Sequence, residues 1–347
     1  MQGSRHPWRL VVALGLAQIT AWGSVYYVFA LLLPHLHAEL GTRKEAVVGA
    51  FSLALLTSGL LAPWVGRQID RHGGRWLMSA GSVLAALGLL LLSRVDSLPG
   101  LYLAWLLLGV SMAATLYDPA FAVLARVFDH GYRRAITVLT LFGGFASTLF
   151  WPLTQLLIDR YGWRDATALL GLLNLLLCVP LHLRFVPAGT RRAAAAPASA
   201  AEPSTRGHDL RTALREPAFY LLCGAFTANA LVFSAMAVHM LPMLVDKGLS
   251  PLQAAAIGAL AGPMQVFGRV LELLFGARFR ATQVALVASA MLPLSLLLFH
   301  ALGPLSALYL AFAFLYGAGN GVITLVRGAI PAEIYGRAHY GAINGAM

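Results

Sequence analysis

Ten stretches of mainly apolar residues follow one another with only short polar turns between most of them. Crossing the roughly 30 Å of bilayer hydrocarbon takes about 20 such residues in a helix. In hydrocarbon only helices and closed barrels satisfy their own backbone. The pattern predicts an all-α polytopic membrane protein with spans near 10–36, 45–65, 76–93, 99–125, 134–158, 164–184, 217–245, 251–275, 282–300 and 304–327. An eleventh apolar segment begins near Tyr340 and the sequence stops at Met347.

Composition agrees with that reading and removes others. The chain is 59% hydrophobic and 11% charged, where soluble domains run near a quarter charged. Its net charge of +11 does not point to nucleic acid, because the basic residues sit in turns between spans. With the N-terminus in the cytoplasm, 18 Arg and Lys fall on that side and 6 on the other, with Arg269 left inside a span. This bias is the positive-inside pattern and predicts an inner-membrane protein, multi-pass, with a cytoplasmic N-terminus. Arg5 and Arg9 followed by an apolar run resemble a signal peptide, but the run continues to Leu33 and reads as a retained first span. Cys178 and Cys223 lie within apolar runs and give no disulfide framework.

The longest hydrophilic segment, 185–215, is rich in Ala, Pro, Ser and Arg and reads as a disordered or loosely helical linker. It divides the chain into a six-helix lobe, 1–184, and an incomplete second lobe, 216–347.

Between the second and third spans lies Gly66-Arg67-Gln68-Ile69-Asp70-Arg71-His72-Gly73-Gly74-Arg75. Its glycines permit close approach and a tight turn, and its arginines hold it on the cytoplasmic side. Gly66, Asp70, Arg71, Gly73 and Arg75 match the loop signature of the major facilitator superfamily, and the chain resembles that family over nearly its whole length. The resemblance implies two pseudo-symmetric six-helix lobes, a small-molecule substrate moved through the bilayer by alternating access, and no cofactor or metal. It also implies twelve spans, so the chain is expected to be a truncated form. The same loop is expected to act as a conformational latch, with Asp70 meeting the start of the eleventh helix near Tyr340. Asp70→Asn is then expected to insert normally but to slow conformational exchange.

Polar residues inside the spans are costly and mark a pathway or a structural bond. On the first span Gln18, Trp22 and Tyr26 share a face, with Thr20, Ser24 and Tyr27 beside it. On the fourth, Ser111, Thr115 and Asp118 recur on one face. The seventh carries Asn229, with Thr227, Ser234 and His239, and the tenth carries Tyr309, Tyr316, Asn320 and Thr324. The resemblance places spans 1, 4, 7 and 10 around the central pathway. Interhelical hydrogen bonding explains such stripes equally well. Asp118 is read as a proton-carrying group of a coupled carrier, as the structural partner of Arg126 or a tyrosine, or as a residue exposed to cytoplasmic water. On the eighth span Arg269 and Glu272 stand one turn apart. Either Arg269 anchors a substrate carboxylate, or the pair latches the second lobe.

Around the fifth span, Arg133-Arg134-Ala135, Gly143-Gly144, Trp151-Pro152 and Tyr161-Gly162-Trp163-Arg164 are similar to the monocarboxylate and oxalate–formate carriers of the superfamily. That likeness implies an organic-anion substrate. The glycine–proline signature of drug–proton antiporters does not occur, since Pro152 follows Trp151. No paired histidine ligands, nucleophile–base pair or phosphate loop points to an enzyme. The alternative to a carrier is a truncated, non-transporting remnant or membrane sensor.

Overall fold

The computed structural model describes residues 7–128, 130–189, 208–250, 253–254, 257–258, 260–301 and 308–347. Most of the linker expected at 185–215 and the side chain of His239 lie outside the described residues. Within them the chain is almost wholly helical, and the β structure is one isolated bridge, Gly73 to Ala188. Among the described residues, eight helices are long and apolar enough to cross a membrane.

By contact the chain forms two units, one of Met1–Leu210 with Tyr335–Ala346, the other essentially Arg211–Ile334. In the first unit α1 (Pro7–Ala21) passes through a π-helical segment, Trp22–Tyr27, into α2 (Val28–Leu40). Next come α3 (Lys44–His72) and α4 (Arg75–Leu92). The expected fourth span is two helices, α5 (Leu98–Thr115) and α6 (Tyr117–Val127), separated at Leu116. Ser97 and a proline in the first turn start α5, where the missing N–H costs nothing.

The fifth and sixth spans run together as α7 (Tyr132–Gly144), α8 (Ala146–Leu173) and, after a π-helical turn at Asn174–Cys178, α9 (Val179–Phe185). Gly162, at φ 80° and ψ 160°, kinks α8 and divides that 54-residue run into two crossings. Only glycine takes that backbone conformation without a Cβ penalty. The core of the unit is a cluster around Val25, Leu32, Leu36, Ala54, Leu89, Trp105 and Leu108. Here large apolar side chains face alanines, which lets helices approach closely without a hydrophobic driving force from lipid.

The second unit begins with a single turn, α10 (Leu210–Ala213), at its boundary. It continues with α11 (Pro217–Asp246), α12 (Ala261–Phe275), α13 (Ala281–Ala301) and α14 (Tyr309–Tyr335). Its core gathers Met236, Leu244, Leu292, Phe299, Phe312 and Tyr316. The tenth span is longer than 304–327 suggests, because α14 stays helical through Pro331 to Tyr335. The last helix, α15 (Tyr340–Ala346), packs against α3 in the first unit. There a Cβ on Gly66 would lie 1.8 Å from the Gly341 carbonyl oxygen, and one on Gly345 2.3 Å from that of Ala62. The spacing Gly341–Gly345 against Ala62–Gly66 is the small-xxx-small arrangement of close membrane helix pairs.

Candidate functional site

Two groups of polar side chains stand out in the first unit, and both begin on the faces singled out in the sequence. The first is built on the turn between α3 and α4. Asp70, half-buried at the end of α3, accepts one hydrogen bond on each oxygen, from the backbone N–H of Gly341 at 3.0 Å and of Ala342 at 2.9 Å. These are free donors of the first turn of α15, and a carboxylate is their strongest acceptor. Arg126, at the end of α6, donates to the carbonyls of Ile69 at 2.5 Å and Asp70, fixing the last turn of α3.

The turn is also tied to the segment after α9. The Arg75 Nε donates to the Val186 carbonyl at 2.7 Å, and the Gly189 N–H donates to that of His72 at 3.0 Å. Gly73 lies in the left-handed region at φ 80°. Arg71 is exposed.

The second group lies at the break between α5 and α6. In a continuous helix the Thr115 carbonyl accepts from the N–H of residue 119, but residue 119 is proline and has none. Leu116, at φ −75° and ψ −157°, turns its own carbonyl out of the ladder. Both carbonyls are satisfied by Gln18, whose Nε2 donates to Thr115 at 2.7 Å and to Leu116 at 3.1 Å. Gln18 is fully buried, and its Oε1 has no hydrogen-bond partner among the described residues.

One turn further on, α1 widens into the π-helical segment. Trp22 there packs on Tyr26 and on Tyr117, with ring centroids 5.0 Å apart in each case. The Tyr27 carbonyl accepts from Trp151 Nε1 at 3.3 Å. Asp118, half-buried in the first turn of α6, accepts from the Asn344 side chain at 3.0 Å. Asp118 therefore binds α15, and Arg126 grips the α3 carbonyls instead of meeting Asp118.

In the second unit Arg269 and Glu272 are both buried, at 4% and 6% exposure. The Arg269 Nε donates to the Gly321 carbonyl at 3.2 Å, which brings the guanidinium to α14 beside half-buried Asn320. Glycines make this approach possible: a Cβ on Gly268 would meet the Ala318 backbone at 2.7 Å. Asn229 is not drawn into this group. Its Nδ2 folds back onto the Ala225 carbonyl at 2.8 Å.

Sequence reasoning missed Asn344 and the part played by Pro119, although an Asp-Pro pair inside an apolar span was the available signal. It also did not assign the Gly-Trp-Arg stretch. There Trp163 Nε1 donates to Glu39 at 2.6 Å, and Arg164 donates to Glu39 at 3.1 and 3.2 Å and to the carbonyls of Ser93 and Val95 at 3.0 and 2.7 Å.

Broken and π-widened helices, buried polar groups inside spans and glycine-mediated contacts describe a polytopic membrane protein. The sequence profile of the Major Facilitator Superfamily matches residues 14–347, and the chain belongs to that family. Among its relatives, rat monocarboxylate transporter 13 is 31% identical over 271 residues, covering 76% of this chain and 60% of the relative. Mouse monocarboxylate transporter 11 is 33% identical over 248 residues, covering 67% and 51%. The chain thus spans between half and two thirds of the length of these two relatives.

Among solved structures it is similar to the human organic anion transporter MFSD10, at 15% identity and a TM-score of 0.70, covering 98% of this chain and 89% of that one. The E. coli fucose:proton symporter gives 14% identity and a TM-score of 0.71, covering 99% and 88%. These structural likenesses show the major facilitator fold.

Proposed function

We propose that this chain is the membrane body of a secondary carrier that moves a small organic anion of the monocarboxylate class by alternating access. The observation that carries the reading is Arg269, a permanently charged guanidinium at 4% exposure within an apolar helix and hydrogen-bonded to α14. A guanidinium in such a place is the strongest available recognition element for a carboxylate. The names of the relatives point to the same substrate class. On this reading Arg269 holds the substrate carboxylate. In the second unit Asn320, next to the carbonyl that Arg269 holds, belongs with it, and Asn229 does not. In the first unit Tyr26, Tyr27 and Asp118 are that unit's own pathway residues, with Gln18 behind them.

The turn at Gly66–Arg75 acts as the latch. Its Asp70 holds α15 in one state of the cycle and releases it in the other, while Gly66, Gly73 and Arg75 keep the turn tight. Arg71, exposed beside it, adds positive charge at the lipid surface. Glu272 balances the charge of Arg269 when no substrate is bound. The excess of Arg and Lys in the turns on one side supports a cytoplasmic N-terminus, on a reading that sets the carrier in a bacterial inner membrane.

Proton coupling falls to Asp118, whose charge change would alter its grip on Asn344. The test is uptake and counterflow of radiolabelled L-lactate in proteoliposomes with an imposed pH gradient. The wild type is expected to accumulate lactate. Arg269→Gln should abolish both uptake and counterflow, and Asp118→Asn should lose gradient-driven accumulation while keeping counterflow. Unchanged pH dependence in Asp118→Asn removes that residue from coupling. Absence of counterflow for every small carboxylate in the wild type turns the assignment to a membrane sensor.

A further inference from the structure

Two residues from different spans meet at the break between α5 and α6. Pro119 removes the donor that would keep the Thr115 carbonyl in the helical ladder. In hydrocarbon, leaving that carbonyl and the one on Leu116 bare would be costly. The Nε2 amino group of Gln18 donates to both, at 2.7 and 3.1 Å, from a side chain with no solvent exposure. Directly after the break come Tyr117, stacked on Phe121 and packed on Trp22, and Asp118 with its bond to Asn344.

We propose that Gln18 is a positioning residue: it stands in for the N–H that Pro119 lacks, holds the fourth span broken at Leu116, and so sets where Tyr117 and Asp118 point. The assignment gives Gln18 no direct contact with substrate. It rests on the carrier reading above for its effect on transport, but not for its effect on the helix.

A straight α5–α6 helix needs only an N–H at residue 119 and a helical ψ at Leu116. Pro119→Ala returns that N–H, and Gln18→Met removes the substitute donor at nearly constant volume. The two changes together should therefore yield a folded protein with an unbroken fourth span. A carbonyl cap with no further role would make that double variant as active as the wild type. A break that sets Tyr117 and Asp118 would not.

The experiment compares the full chain and the variants Gln18→Met, Pro119→Ala and the double variant by three readings. These are the thermal unfolding midpoint, hydrogen exchange over residues 115–122, and L-lactate counterflow in proteoliposomes. Gln18→Met is expected to lower the midpoint by a few degrees, to speed exchange in that segment, and to cut counterflow about tenfold. The double variant is expected to regain the midpoint and to exchange more slowly than the wild type, yet to stay about tenfold down in counterflow.

Wild-type counterflow in the double variant overturns the proposal, because Gln18 then only satisfies a carbonyl. Unchanged exchange in Gln18→Met overturns it at the level of the helix. If the wild type moves no carboxylate, the carrier reading fails, while the exchange and midpoint readings still decide whether Gln18 holds the break.

Discussion

The first unit is held at its two ends by different means. At one end Arg164 collects three helix connections: Glu39 at the end of α2, the Ser93 and Val95 carbonyls after α4, and its own turn at the Gly162 kink. Its guanidinium also lies over the Trp163 ring at 4.5 Å. At the other end a carboxylate, Asp70, holds α15 by two backbone N–H groups, and the two helices meet through glycine and backbone.

The contrast lies in what must move to undo each contact. The Arg164 fork joins loops of one continuous six-span run and presents several donors in a fixed plane, so releasing it means dismantling the unit. The Asp70 grip is two bonds to a seven-residue helix more than 270 residues away in sequence. Such a contact is strong in place and quick to lose as a whole. On the carrier reading proposed above, a rigid end and a releasable end suit a unit that turns as one body.

The largest test of this contrast is Gly66→Val. Its Cβ would come within 1.8 Å of the Gly341 carbonyl, and overpacking of this kind costs about 1–3 kcal/mol. Hydrogen exchange of residues 340–346 should rise to that of a free segment, with residues 93–96 and 162–166 unchanged. A coupled change at both ends would break the comparison.

Next in size is Arg164→Met, which removes the contacts to Glu39, Ser93 and Val95. With both side chains part-exposed, at 34% and 45%, the ion pair itself contributes little and the loss should be about 2 kcal/mol, most of it from the carbonyl bonds. It should lower the thermal midpoint while leaving exchange at Gly341 and Ala342 as it was.

Asp70→Asn comes third. The amide keeps one acceptor and loses the charge, weakening the grip by about 1.5 kcal/mol. Faster exchange at Gly341 and Ala342, normal membrane insertion and slower conformational turnover are expected, and wild-type transport would remove the latch. The smallest effect is Ser24→Ala. Asn174 Nδ2 donates to Ser24 at 2.7 Å and also to the Leu170 carbonyl at 2.9 Å. Because that second acceptor remains, about 0.5–1 kcal/mol should be lost, read as a small midpoint shift common to both ends.

Much of the fold was legible because hydrocarbon leaves few choices. An apolar run of about 20 residues has to be helical, and the charged glycine-bearing turn at 66–75 carries its own signature. Gln18, Asp70 and Asp118 were visible for the same reason: polar groups in or beside apolar spans draw notice wherever they point. The partner of Asp70 was expected as well, at the start of the eleventh helix near Tyr340, and the N–H groups of Gly341 and Ala342 there are what it holds. The partners of Gln18 and Asp118 were not visible. Asn344 was read as part of an apolar run that had barely started, and Asn229, on an equally promising stripe, turned back onto its own helix.

Composition, the helical character of the apolar runs, the basic bias of the turns and the place of the glycine-bearing turn at 66–75 were thus determined by the sequence, because each reflects the cost of putting charge or bare backbone into lipid. Tertiary structure alone decided that Gln18 would cap the carbonyls left by Pro119, that Asp118 would bind Asn344 rather than Arg126, and that Arg164 would tie three turns together. Those outcomes depend on which helices come within about 3 Å of one another. In a membrane that is set by small residues and backbone geometry spread over the whole chain.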